Sequence, residues 1–151
     1  MKIEPIYNLY NRVFNTLDKW LSPLWFLYIR YWLADVFFRS GLVSISDWQN
    51  NIDLFTYEFK TPLLSSELAA YLSTAVELVC PVLLILGLGT RLAALAIFFT
   101  ALVIELTYIH HLDHILWMLA SSLLFLKGGE KLSMDYLLSK TWFKNLNQGR
   151  K

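Results

Sequence analysis

The chain lacks most of what small redox, secreted and nucleic-acid-binding domains depend on. It has one cysteine, Cys80, in 151 residues, so it closes no internal disulfide and carries no CxxC relay, which excludes dithiol chemistry within the chain. It has no surplus of one charge. Thirteen Lys and Arg stand against twelve Asp and Glu, a net of +1, and that leaves no positive field for nucleic acid. Six glycines and four prolines are too few for a disordered or collagen-like chain. All three histidines fall between positions 110 and 114. A bis-histidine haem needs ligands on opposing helices at one depth, so haem is not expected. Gly87 and Gly89 flank a single leucine with neither a preceding strand nor a phosphate-binding lysine, and they read as a turn between helices rather than a nucleotide loop.

What is present is oil. Hydrophobic residues make up 56% of the chain and aromatics 16%, against 17% charged, with a mean hydropathy of +0.46. That balance is far more apolar than a soluble domain's. No uncharged run reaches the length of a strict membrane span, the longest being 13 residues. Yet Leu68–Thr90 is 23 residues broken only by Glu77, and Leu92–Leu112 is 21 residues broken only by Glu105. Each is long enough to cross about 30 Å of hydrocarbon.

The spacing predicts an all-α integral membrane protein, a four-transmembrane-helix bundle in one domain over 1–151. Its spans are expected at 24–43, 68–88, 92–110 and 114–126. The first carries Arg30, Asp35 and Arg39 on an otherwise apolar surface, and the fourth is short. Basic residues favour the cytoplasmic side of short loops. Lys2, Arg12 and Lys19 precede the first span, Arg91 lies between the second and third, and Lys127, Lys131, Lys140, Lys144, Arg150 and Lys151 follow the fourth, whereas the other two loops hold only Lys60. Four spans with both termini inside (N-in/C-in) satisfy this bias.

Amphipathic interfacial helices complete the layout. Residues 1–22 place Ile6, Leu9, Tyr10, Val13, Phe14, Leu17 and Leu21 at helical spacing opposite Asn8, Asn11, Arg12, Asn15 and Lys19. Pro23 is expected to separate this helix from the first span. Ser46 with Gln49 reads as a capping box ahead of Trp48, Ile52, Phe55 and Phe59, a second amphipathic helix ending at Pro62. Either helix can rest on lipid or on protein. A cytoplasmic C-terminal helix is expected over 132–144, capped by Ser133 with Asp135 in its first turn. Trp20, Trp25 and Trp142 at the inner boundary, with Trp48, Tyr57, Tyr71 and Tyr108 at the outer one, suit interfacial belts.

Several of these segments resemble the DoxX family of small four-span bacterial membrane proteins. The resemblance rests on LFTYEFKTPLL at 54–64, ELAAY at 67–71, ELVCPVLL at 77–84 and GLGTRLAA at 87–94, with Arg30, VFFRSG at 36–41 and LSMD at 132–135 in support. The nearest branch is the HvfX-like one, found beside copper-binding ribosomal peptides. At 128–130 the chain has Gly-Gly-Glu where that pattern has Gly-Pro-Gly. The resemblance implies a bacterial inner-membrane accessory protein in copper or metal-stress handling, or in handling a copper-binding peptide, with partners in the membrane or encoded in the same operon. Copper and quinone are the cofactors it brings into question. The alternatives are a quinone-linked membrane oxidoreductase subunit and a structural anchor.

Ionisable residues at membrane depth need partners, hydration or neutralisation. Counting about 1.5 Å per residue from the outer ends puts Arg39 and Glu105 roughly 6–8 Å deep and Asp35 and Glu77 roughly 13–15 Å deep. The expectation is one inward polar cluster in which Arg39 bridges Asp35 and one or both glutamates. It serves either as glue that fixes helix register or as a proton or substrate path from the outer face. Arg30, a secondary charge nearer the cytoplasmic end, is expected to snorkel or to pair with lipid phosphate. The outer turn holds His110, His111, Asp113 and His114, a donor set suited to Cu(II), Zn or Ni. The same residues also read as helix caps, with Asp113 as the N-cap of the fourth span. Cys80 beside Pro81 lies in an apolar stretch where packing is its expected role, and Pro81 withdraws the amide that would bond the Glu77 carbonyl.

Overall fold

A computed structural model describes residues 4–59, 64–107 and 111–148, with the side chains among them except at 5, 6 and 142–148. Its elements are helices: α1 (Glu4–Ser46), α2 (Trp48–Asp53) running into a π-helical turn (Leu54–Glu58), α3 (Ser66–Leu86), α4 (Thr90–Thr107), α5 (Leu112–Lys127) and α6 (Met134–Gln148). No strand occurs among the described residues.

Four helices share one core. Phe26, Ile29, Leu33, Ala34 and Phe37 of α1 meet Cys80 and Leu84 of α3, Ala93, Ala94, Ile97 and Ala101 of α4, and Ala120 and Leu124 of α5. The stripe on each helix recurs every three or four residues, the period of one helical face. Alanines on α4 keep that face shallow, and α4 packs most closely on α5 and also on α3. The faces turned away from this core are also apolar: Val79, Val82 and Leu86 on α3, Leu92, Phe99 and Val103 on α4, and Leu116, Leu119 and Leu123 on α5 are exposed. A helix apolar on both faces belongs in lipid rather than in water. α3 and α4 are long and apolar enough to cross a membrane. α5 has 16 residues, and α1 carries its charges mid-helix.

Two boundaries differ from expectation. α1 is continuous for 43 residues with Pro23 inside it, so the amphipathic segment and the first span form one helix. Proline costs a helix one amide bond and a clash with the preceding turn, and here Pro23 is buried at the point where α1 enters the core. The N-cap of α2 is Asp47, whose carboxylate accepts from the Asn50 amide at 3.1 Å, while Ser46 donates to the Val43 carbonyl at 2.8 Å and closes α1. The apolar face of α2 and its π-turn rests on α3, with Phe55 buried against Ala69 and Ala70, flanked by Trp48, Ile52 and Phe59.

At the opposite end the turns are tightly tied. Gly87 ends α3 in the left-handed conformation (φ 67°), and its amide donates to the Leu83 and Leu84 carbonyls. Gly128 (φ 77°) and Glu130 (φ 55°) shape the turn after α5, where the sequence departs from Gly-Pro-Gly.

Candidate functional site

The four residues expected in one cluster lie in three places. Asp35 and Arg39 form a 2.9 Å ion pair on the outer surface of α1, and the Arg39 side chain is 76% exposed. Arg39 reaches neither glutamate among the described residues, so the bridging role does not hold. The reason is azimuth. The face of α1 turned to α3 runs through Ala34, Phe37, Gly41 and Ser44, and Asp35 and Arg39 fall off that stripe. Equal depth does not put two side chains on facing surfaces.

Glu77 is buried at 7% exposure on α3. Its carboxylate accepts from three serine hydroxyls: Ser44 at 3.0 Å on one oxygen, and Ser40 and Ser73, each at 3.3 Å, on the other. Ser40 and Ser44 stand one turn apart on α1, and Ser73 precedes Glu77 by one turn on α3. Gly41 lets the two helices approach, since a Cβ there would lie 2.8 Å from Leu78 Cδ2 and 3.1 Å from Glu77 Cβ. The buried Asn51 side chain donates to Thr74 at 3.0 Å just above, joining α2 to α3.

Glu105 and His114 form the third place. Oε2 of Glu105 lies 3.0 Å from Nδ1 of His114, and the two side chains are 13% and 11% exposed. Facing a carboxylate, Nδ1 carries the proton, which leaves the lone pair on Nε2. The His114 ring packs on Trp117 with centroids 5.1 Å apart, and Trp117 meets Phe37 of α1 edge-on at 5.4 Å. His111 lies beside it, with ring centroids 5.9 Å apart. Nδ1 of His111 is 3.0 Å from the Asp113 carboxylate and 3.4 Å from the Asp113 amide. One nitrogen cannot donate to the first and accept from the second, and we assign the shorter contact, so His111 is also oriented by a carboxylate. His111 nonetheless stands at the N-cap position of α5, where its backbone carbonyl accepts from the His114 amide at 3.1 Å, and Asp113 lies in the first turn rather than at the cap. His110 lies outside the described residues. Among the described residues no three His, Cys, Asp or Glu side chains converge as ready metal ligands.

Arg30 neither snorkels nor meets solvent. It is 1% exposed on the core face of α1 and donates to the Leu132 carbonyl, and its Nε and Nη1 find no acceptor. Cys80 packs in the core as a free thiol. The serines around Glu77 were not anticipated from sequence, although Ser40 and Ser44 at i, i+4 beside a glycine, in an otherwise apolar span, are the signal that marks them. Asp135 stands in the first turn of α6, as its position after Ser133 leads one to expect. It also accepts from the Gly89 and Thr90 amides at 2.8 and 2.9 Å, capping α4.

These features belong to a class, the small helical membrane proteins with ionisable groups inside the bundle. The DoxX family profile matches residues 25–111. An uncharacterized protein of Haemophilus influenzae is 30% identical over 131 residues, covering 77% of this chain and 84% of its own length. The chain belongs to the DoxX family. No solved structure matches it.

Proposed function

We propose that this DoxX protein is a four-span protein of the bacterial inner membrane, both termini cytoplasmic, that handles copper or a related metal at the outer end of α4 and α5. The basic residues support this orientation, because Arg91, Lys127 and Lys131 all lie at the end away from the histidines. The apolar outward faces of α1 and α5 support the two further spans, with α5 shortened by its position among neighbours.

One observation carries the metal reading. Both described histidines have Nδ1 held by a carboxylate at 3.0 Å, Glu105 for His114 and Asp113 for His111. That is the outer-shell arrangement that fixes a metal-binding imidazole and raises its basicity, leaving Nε2 for the ion. Two imidazoles bound to one ion through Nε2 at about 2.0–2.1 Å have ring centroids roughly 4.5–6.4 Å apart, about 5.2 Å at the tetrahedral angle, and the 5.9 Å separation here lies within that range, toward a wide angle. His110, adjacent to His111 in sequence, is the candidate for a third ligand. The role follows as an accessory one, receiving or passing copper, free or carried on a peptide, at the membrane's outer face.

Titration of the purified protein in detergent with Cu(II) tests this. Wild type is expected to bind one ion, and the His110→Ala/His111→Ala/His114→Ala variant to lose at least about tenfold in affinity. Equal binding by both proteins, or none by wild type, overturns it. A second reading, as a quinone-linked oxidoreductase subunit, is favoured by a groove of about 390 Å³ between α3 and α4, lined by Phe55, Leu72, Val76, Phe99, Val103 and Ser73. The groove is apolar and of a size that holds one ring. Quinone retained through purification supports it. If neither ligand binds and substitutions change only stability, the remaining role is that of an anchor.

A further inference from the structure

Glu77 presents a problem of charge. Its carboxylate is buried in α3, the more apolar of the two helices long enough to span a bilayer. No Lys, Arg or His is bonded to it among the described residues, and its contacts are the hydroxyls of Ser40, Ser44 and Ser73. An isolated carboxylate at that depth costs several kcal/mol unless a positive charge joins it. Hydroxyl donors soften that cost but supply no charge.

The three hydroxyl oxygens and two carboxylate oxygens make a five-oxygen donor set with no nitrogen or sulfur. All-oxygen sets suit hard cations, whereas copper and zinc select imidazole and thiolate. The spacing is informative as well. The three hydroxyl bonds to the carboxylate, at 3.0, 3.3 and 3.3 Å, are longer than the about 2.5–2.7 Å of a strong charge-assisted O–H···O⁻ bond. Neighbouring oxygens around a cation with metal–oxygen distances of about 2.3–2.6 Å stand roughly 3.0–3.5 Å apart. The three hydroxyl–carboxylate distances fall in that range. One carboxylate balances one monovalent ion and leaves the site neutral, while a divalent ion would leave a net positive charge in the membrane. K⁺ is too large for oxygens this close.

We propose that Glu77, Ser40, Ser44 and Ser73 form an intramembrane Na⁺ site between α1 and α3, separate from the histidines at the outer turn. Gly41 is part of its construction, because a Cβ there would crowd the Leu78 side chain and Glu77 Cβ at the point where α1 brings its two serines to the carboxylate. Ser73 is shared between this cage and the apolar groove on α3 and α4, so an apolar reagent in that groove reaches one wall of the site.

The test uses dicyclohexylcarbodiimide, an apolar reagent that adds to a protonated carboxyl and leaves an N-acylurea on it. The full chain in detergent is labelled at one pH in equimolar NaCl, KCl or choline chloride, and the adduct on Glu77 is followed by peptide mass spectrometry. A bound Na⁺ displaces the reactive proton. Labelling is expected to slow about tenfold in NaCl relative to choline when Na⁺ is about ten times its Kd, with little slowing in KCl. The Ser40→Ala/Ser44→Ala variant is expected to label in choline and to lose the protection, and Glu77→Gln to remove the adduct. Equal labelling of wild type in NaCl and choline means that the carboxyl holds only a proton and overturns the proposal. So does an absence of labelling in choline across pH, which would show a carboxyl closed to exchange. The wild-type comparison stands even where a variant fails to fold, and it is independent of copper binding at His111 and His114.

Discussion

Arg30 donates from the middle of α1 to the carbonyl of Leu132, 102 residues later. This bond joins the first helix of the bundle to the turn that introduces the last. The turn after α3 lies against the same guanidinium: a Cβ on Gly87 would run into Arg30 and would come within 2.6 Å of the Ser133 Cβ and 2.8 Å of its Cα. Gly87 and Gly89 both have positive φ, 67° and 58°, but Gly89 has open space where its side chain would be.

The two glycines thus separate backbone strain from crowding. Gly89→Ala is expected to cost about 1–2 kcal/mol, the penalty of a left-handed residue with a Cβ. Gly87→Ala adds an overpacking cost of about 1–3 kcal/mol, because backbone and a buried arginine are in the way. Thermal unfolding in detergent should rank wild type above Gly89→Ala and Gly89→Ala above Gly87→Ala. Equal loss in the two variants would show that Arg30 and Ser133 yield freely.

Asp135 gives a second prediction at the same end. Its two oxygens accept from Gly89 and Thr90, the first amides of α4, at 2.8 and 2.9 Å, and its own amide donates to Gly87 at 2.9 Å. A carboxylate there satisfies two orphan donors and complements the helix dipole. Asp135→Asn keeps one acceptor and loses the charge, so a loss of about 1–2 kcal/mol is expected, and Asp135→Ala should lose more. Hydrogen exchange at the start of α4 should rise in both variants. Unchanged exchange there would place the stabilising role elsewhere.

How far such contacts are legible in sequence depends on what fixes them. The apolar runs at 68–90 and 92–112 identify α3 and α4 because length and composition need no partner. Glu77 and Glu105 are visible as anomalies within those runs. Their partners are not, because counting residues gives depth and leaves rotation about the helix axis undetermined. Arg39 and Glu77 stand at workable depths and on different faces, whereas Ser40, one residue on, faces the carboxylate. Arg30 escaped for the opposite reason: it lies on the core stripe with Phe26, Leu33 and Phe37, and the stripe overrides the preference of arginine for an interface. Pro23 shows the limit of local rules, since tertiary packing carries α1 through it.

The exposed position of Arg39 can be tested directly. Its pair with Asp35 is an i, i+4 contact on an open surface, and such pairs contribute about 0.2–1 kcal/mol at most. Arg39→Gln is expected to shift unfolding by no more than about 0.5 kcal/mol and to leave carbodiimide labelling of Glu77 unchanged. A large change in that labelling would restore a link between Arg39 and the buried carboxylate.

The pair of Glu105 and His114 supports a more discriminating prediction. Glu105 accepts the Nδ1 proton of His114 at 3.0 Å in a mostly buried setting, so it acts on a metal through the imidazole as a positioning group. Glu105→Gln can keep the hydrogen bond through its amide oxygen while removing the carboxylate charge beside the ring. Glu105→Leu removes both and leaves a buried imidazole N–H unpaired. If His114 binds copper, Glu105→Gln is expected to weaken affinity about tenfold and Glu105→Leu up to about 100-fold, the range seen when outer-shell partners are removed. The spectroscopic environment of bound Cu(II) should stay the same in Glu105→Gln, since the ligand atoms are unchanged. Weakening in both variants together with a new Cu(II) spectrum would make Glu105 a ligand itself. Unchanged affinity in both would detach the pair from metal binding and leave it as a polar clasp between α4 and α5.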